Sequence, residues 1–184
     1  MNNTNKNYNK ILLTYSVFII VFALDQLTKN YIINTMPIEV FIDTSKFTSC
    51  PSQQIFSWLW LTHVVNFGAA WSLFSGQKYL LLAFGLIVYS ALVYYEFNSR
   101  NTRTKTLSIG LGFILAGLGN FVDRIRLGYV TDFLDVRNGS GQNIWPIFNV
   151  ADISIDIGVF LFIIYVIFQE GKNKASNQDQ QISE

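Results

Sequence analysis

Residues 145–158 read WPIFNVADISIDIG and run directly into VFLFIIYVIF, residues 159–168. The stretch from 150 to 168 is 19 residues long, about 28 Å of helix at about 1.5 Å per residue, close to the roughly 30 Å hydrocarbon thickness of a bilayer. It reads as a membrane span. Yet two carboxylates, Asp152 and Asp156, stand one helical turn apart at its entrance. An acid facing apolar surroundings costs several kcal/mol unless it is paired, protonated or working, so both require a reason.

Working outward, three further apolar segments occupy residues 11–33, 79–97 and 106–122. The composition agrees: 51% of the 184 residues are hydrophobic and 14% are charged, against roughly 25% charged in soluble domains. The third segment is short and carries Gly110, Gly112, Gly117 and Gly119, small residues that let helices approach closely in lipid, so it is expected at the centre of a bundle. The first has Lys6 and Lys10 ahead of it, but no small-x-small cleavage site follows, and it is read as an uncleaved helix.

Net charge is +1, which gives no global basic field and no indication of a nucleic-acid partner. The single cysteine, Cys50, excludes an internal disulfide and a Cys-based metal knuckle. Lys and Arg placement sets the expected orientation. Seven lie in the N-terminus, the short connection around residues 98–105 and the tail, whereas five lie in the two long connections. Both termini are therefore expected in the cytoplasm, with residues 34–78 and 123–149 outside it. The polar tail, 171–184, is expected to be disordered. No second soluble domain fits, so residues 1–170 form one unit.

Residues 55–74, IFSWLWLTHVVNFGAAWSLF, are rich in β-branched and aromatic side chains and contain Asn66-Phe67-Gly68. They predict a small β-hairpin at the membrane surface turning at Asn66 to Gly68, with Trp58, Trp60 and Trp71 as interfacial anchors. His63, the only histidine, is expected on the hairpin surface; no G-x-S-x-G accompanies it to suggest a Ser-His nucleophile. One His and one Cys are too few for a typical zinc site, which leaves only an all-carboxylate metal site open.

Polar residues gather near the outer ends of the spans. Asp25 and Lys29 are four apart with the acid first, the favoured order for an intrahelical pair. Asn120, Asp123 and Arg124 close the third span. Asp132, between Thr131 and Phe133 and near Val130, is set against apolar material, which raises a carboxyl pKa. Asn149 is an N-cap candidate, and Asp152 falls in the first turn after it. Asp132 and Asp152 flank one short connection. Two acids facing one another across a cleft and holding one proton between them supply a base and an acid for peptide hydrolysis. The competing class is an ion or proton relay through Asp25, Lys29, Asp132, Asp152 and Asp156, which the charge-free centres of the last three spans disfavour.

DQLTK (residues 25–29), NFGAAWS (66–72), GNFVDR with VTDF (119–133) and FNVAD (148–152) resemble, in order, the signature blocks of the bacterial lipoprotein signal peptidases, the signal peptidase II family of aspartyl proteases. The resemblance covers residues 11–168. It implies an all-α membrane protein of four transmembrane helices with a small extracytoplasmic β-sheet cradle from residues 34–78, in the bacterial cytoplasmic (inner) membrane. It implies a catalytic dyad of Asp132 and Asp152 at the extracytoplasmic side. Asp25, Lys29, Asn66, Gly68, Asn120, Arg124 and Asn149 match positions that shape or line the site, and Asp123 is structural support. The implied substrate is a prolipoprotein with a diacylglyceryl-cysteine, cut N-terminal to that cysteine, and the implied inhibitor is globomycin. No metal or organic cofactor is implied; membrane lipids are the remaining partner.

Two departures stand out. Lys29 and Asn66 are 37 positions apart, longer than the family pattern, with the excess around Cys50. Asp156 occupies a position where the family more often has an uncharged residue; it is expected on the face of Asp152, protonated or hydrogen-bonded, and dispensable.

Overall fold

The computed structural model describes residues 3–38, 52–69, 73–98 and 104–182, with side chains described from residue 8 to residue 168 of those segments. Cys50 and Trp71 lie outside the described residues. In chain order the elements are α1 (Asn3–Thr35), β1 (Gln53–Phe56), β2 (Leu59–Asn66), α2 (Lys78–Asn98), α3 (Lys105–Ala116), α4 (Leu118–Arg126), β3 (Val130–Val136) and α5 (Val150–Ile182).

Four helical segments are long and apolar enough to cross a membrane: Tyr8–Thr35, Lys78–Asn98, Lys105–Arg126 and Val150–Phe168. The third is the central one. Its span is 61% buried inside the protein while the others are 6–17% buried, and this accounts for its lower hydropathy, because protein and not lipid surrounds it. The glycines make that position possible: a Cβ on Gly112 would lie 2.6 Å from the Thr14 carbonyl oxygen of α1, and one on Gly110 would lie 3.2 Å from the Gly158 carbonyl oxygen of α5. Thr104 caps α3 by accepting from the Leu107 backbone N–H at 3.2 Å. The segment is interrupted at Gly117, which gives two helices where the sequence suggested one.

The three strands form one antiparallel sheet in the order β1-β2-β3. The hairpin of the first long connection is present, but it turns at Ser57-Trp58, and Asn66 ends β2 instead of forming the turn. Gly68 is not among the residues with positive φ; the Asn66 side chain accepts from the Gly68 N–H at 2.9 Å, a local Asx turn that leads the chain out of the sheet. The third strand comes from residues 123–149, read from sequence as a loop. β2 carries an extra residue between Leu61 and Val64, opposite Leu134 and Asp132, a bulge that lets the consecutive residues Thr62 and His63 both be buried. His63 is thus an interior residue, not a surface one, with Nδ1 2.9 Å from the Met36 carbonyl oxygen.

α5 continues through Ile182, across the tail that composition assigned to disorder; the segment lacks proline and contains Lys, Ala and Gln, residues compatible with helix.

Candidate active site

The site lies at the end of the bundle that carries the sheet. It starts with the junction between β3 and α5. Phe133 and Leu134 both donate their backbone N–H to the Phe148 carbonyl, at 3.1 and 2.8 Å, and the Phe148 N–H donates back to Leu134 at 3.2 Å. This short pairing brings the next residue, Asn149, beside Asp132. Asn149 also caps α5: its side-chain oxygen accepts from the Asp152 N–H at 3.0 Å, and Asp152 Oδ2 accepts from the Asn149 N–H at 3.0 Å. The arrangement is a reciprocal capping box, which fixes the Asp152 carboxylate at the helix entrance.

Asp132 is 3% exposed. Its Oδ1 accepts from Asn149 Nδ2 at 2.6 Å and its Oδ2 from Asn66 Nδ2 at 3.1 Å. Asp152 Oδ1 accepts from Asn120 Nδ2 at 2.8 Å. Asn120 Oδ1 in turn accepts from Asn149 Nδ2 at 3.1 Å and from Lys29 Nζ at 2.6 Å. The two acids are thus joined through amides; no direct hydrogen bond between them is present among the described residues, where the sequence reading expected a jointly held proton. Burial, and next the negative charge of Asp152, push the Asp132 carboxyl up to about 7, against the opposing effects of the Asn66 and Asn149 hydrogen bonds and the Lys29 charge.

Behind the acids sits an ion cluster. Lys29 Nζ lies 2.9 Å from Asp25 Oδ2 and 3.0 Å from Asp123 Oδ2, with all three side chains almost fully buried. Asp25 Oδ1 accepts from the Ala151 N–H of α5 at 2.9 Å, and Asp123 Oδ2 from the Thr131 N–H of β3 at 3.4 Å. Three helices and a strand are therefore tied to one ammonium. The intrahelical Asp25–Lys29 pair exists, and it is one edge of a larger network. Arg124 donates to the Asn120 carbonyl at 3.2 Å and to the Gly68 carbonyl, joining α4 to the end of β2; its Nε is a buried donor with no partner among the described residues.

All ten residues singled out from sequence are gathered here. Asp156 is not: it is exposed on α5. Sequence reading also missed Gln26, whose side chain donates to Asp123 Oδ1 at 3.3 Å and to the Gly119 carbonyl at 3.4 Å. It missed a second polar cluster as well, in which buried Asp135 accepts from Thr62 at 2.8 Å, Asn143 at 2.7 Å and Arg137. The Arg137 guanidinium lies 4.7 Å from the Trp60 ring centre. The signal available was the second acid of VTDFLDV, residues 130–136.

A buried assembly of acids and amides at one end of four membrane-crossing helices defines a polytopic membrane enzyme. Known proteins give the family. A family model described as signal peptidase (SPase) II matches residues 17–168, and the chain belongs to that family. A lipoprotein signal peptidase from Halothermothrix orenii is 39% identical over 158 residues, covering 86% of this chain and 97% of that one. One from Enterococcus faecalis is 43% identical over 121 residues, covering 61% and 71%. A bacterial membrane enzyme solved by the in meso method at 2.3 Å resolution superposes with a TM-score of 0.71 at 32% identity, covering 89% of this chain and 90% of that one.

Proposed function

We propose that this chain is an aspartyl endopeptidase that removes the signal peptide from prolipoproteins, cutting N-terminal to a cysteine that carries diacylglycerol. The observation that carries this reading is the connection of Asp132 and Asp152 through one residue, Asn149, in a buried setting.

Asp152, held by two amide donors, is the base, and Asp132, with a pKa of about 7, is the acid. Water attacks the scissile carbonyl carbon and gives a proton to Asp152, while Asp132 gives its proton to the carbonyl oxygen. In the collapse, Asp152 returns its proton to the leaving nitrogen as the C–N bond breaks, and Asp132 recovers a proton from the diol. Both acids end as they began. Asp25, Lys29 and Asp123 hold α1, α4 and β3 together behind them; Asn66, Gly68, Asn120, Arg124 and Asn149 shape and line the site. Residues 1–170 act as one protease domain.

Both termini face the cytoplasm and the sheet lies on the opposite side of the cytoplasmic membrane, in keeping with the Lys and Arg distribution. A substrate that is itself a lipid-anchored helix then arrives sideways through the bilayer at the depth of the acids. Globomycin is the inhibitor this reading calls for.

Purified enzyme in detergent with a diacylglyceryl-modified prolipoprotein peptide is the test. Asp132→Asn and Asp152→Asn are each expected to lower kcat by about 10³-fold or more with retained fold. Undiminished cleavage in either variant rejects the dyad.

A further inference from the structure

Tyr89 of α2 carries an aromatic hydroxyl within electrostatic reach of this site that the mechanism above does not use. α2 carries no residue of the acid and amide network. It packs on α3 and α4, while α5, which carries Asp152, packs on α3, α1 and α4. The contact between α2 and α4 is specific. Gly85 has no side chain, and a Cβ there would lie 2.7 Å from a ring carbon of Phe121. Phe121 therefore lies directly on the α2 backbone. One turn further along, the Tyr89 ring meets Phe121 edge-on, with centroids 5.9 Å apart and planes at 69°. Phe121 adjoins Asn120, the residue bound to Asp152, so the bracing that fixes Tyr89 is continuous with the site.

The charges acting on the Tyr89 hydroxyl belong to Arg124, Asp152 and Asp25, on three different helices. Tyr89 is half-buried, yet its hydroxyl hydrogen-bonds none of these groups, nor any other described residue. The hydroxyl is not among the buried polar atoms that lack a partner, so a donor at this half-buried position can be reached by an incoming group. Here the ring is braced against Phe121, beside Asn120, and the donor bonds no described residue.

We propose that the Tyr89 hydroxyl is a substrate-positioning donor that binds a carbonyl oxygen of the lipidated substrate as it enters beside α2. This rests on the proposed peptidase reading. Two carbonyl sources share the required chemistry: a peptide carbonyl next to the scissile bond, and an ester carbonyl of the diacylglyceryl group. Because the contact is made to the bound ground state and persists through the reaction, its loss raises KM and leaves kcat unchanged.

The experiment compares wild type, Tyr89→Phe and Tyr89→Leu on the lipidated peptide in detergent. Tyr89→Phe keeps the ring against Phe121 and is expected to raise KM about five- to tenfold, with kcat within about twofold, as for one neutral hydrogen bond. Its thermal midpoint is expected to match wild type, while Tyr89→Leu, which loses the ring contact, melts lower. Two altered substrates identify the acceptor: one with ether-linked chains in place of the esters, and one with a methylene in place of the peptide carbonyl preceding the scissile bond. The Tyr89→Phe penalty is expected to vanish with one of them. A wild-type KM in Tyr89→Phe, a drop confined to kcat, or a penalty that persists with both substrates overturns the assignment. Asp132→Asn and Asp152→Asn on the same peptide keep the two readings separate: inactivity there beside a wild-type KM in Tyr89→Phe removes Tyr89 alone, whereas activity there removes the dyad.

Discussion

Asn149 Nδ2 lies 2.6 Å from Asp132 Oδ1, and the same residue's backbone N–H donates to Asp152 at 3.0 Å. One residue therefore sets the position of both acids, by its side chain on one and by its main chain on the other. Truncation to Asn149→Ala removes the donor to Asp132 and the oxygen that caps α5, while leaving the main-chain bond. The expected loss is about 10²-fold in kcat, the scale of a reacting group displaced by about 1 Å. The Asn149 hydrogen bond also holds the Asp132 pKa down. Without it that pKa rises further, so the alkaline limb of the cleavage profile, expected near pH 7 in wild type on the proposed mechanism, is expected to move to higher pH. A pH-rate profile of the residual activity checks this.

The same carboxyl makes stability depend on pH. Asp132 binds a proton with a pKa of about 7 when folded and 3.8 in the unfolded reference. Between those values the folded chain holds more protons, so stability declines as pH rises through the window; the contribution is complete below the unfolded value and gone above about 7. Thermal melting in detergent from pH 4 to 8 is expected to show this decline in wild type, and a flatter slope in Asp132→Asn.

Gly119 is the tightest backbone approach in the ion cluster. A Cβ at this position would stand 2.0 Å from Asp25 Oδ2, closer than any real contact, so Gly119→Ala drives the Asp25 carboxylate away from Lys29. Breaking a buried ion pair of this kind costs about 3–5 kcal/mol. The variant is expected to melt well below wild type and to lose activity with its fold, whereas Gly139→Ala, where a Cβ meets nothing within 4 Å, is expected to melt like wild type.

The spans, and the grouping of residues in the candidate site, were largely legible because each carried a local signal: hydropathy over about 19 residues for the helices, and acids or amides at helix ends for the candidate site. The sheet was less so, and for a physical reason. β3 is buried on both faces for most of its length, so VTDFLDV lacks the alternation that marks a half-buried strand. At the hairpin, Asn66-Phe67-Gly68 has the composition of a turn, but its Asn is spent on an Asx turn and on Asp132, while the true turn uses Ser57-Trp58. Trp is not a turn signal. His63 became interior through a bulge, which shifts side-chain facing without leaving a compositional trace. Tyr89 sits in a uniformly apolar helix and acquires meaning only through what Phe121 and Gly85 do to it.

Asp156 provides the last test, because the sequence placed it with Asp152 and the structure does not. Four residues turn a helix by about 400°, so Asp156 is offset by about 40° from Asp152 and lies about 6 Å further along the axis. That rotation is enough to bring it out of the site: Asp152 is half-buried against Asn120 and Asn149, while Asp156 is exposed and has no hydrogen bond to a described residue. An acid near the end of a span is less costly than one at its centre, which makes its retention without a catalytic duty physically tolerable. Asp156→Asn removes the ionisable group and keeps the shape. It is expected to cleave the lipidated peptide within about twofold of wild type and to melt at the same temperature or slightly higher, because an exposed acid on a membrane-crossing helix is replaced by a neutral amide. A fall of tenfold or more at normal protein level would mean that Asp156 reaches the reacting groups through the substrate, and that the exposed face of α5 that carries it is part of the binding surface.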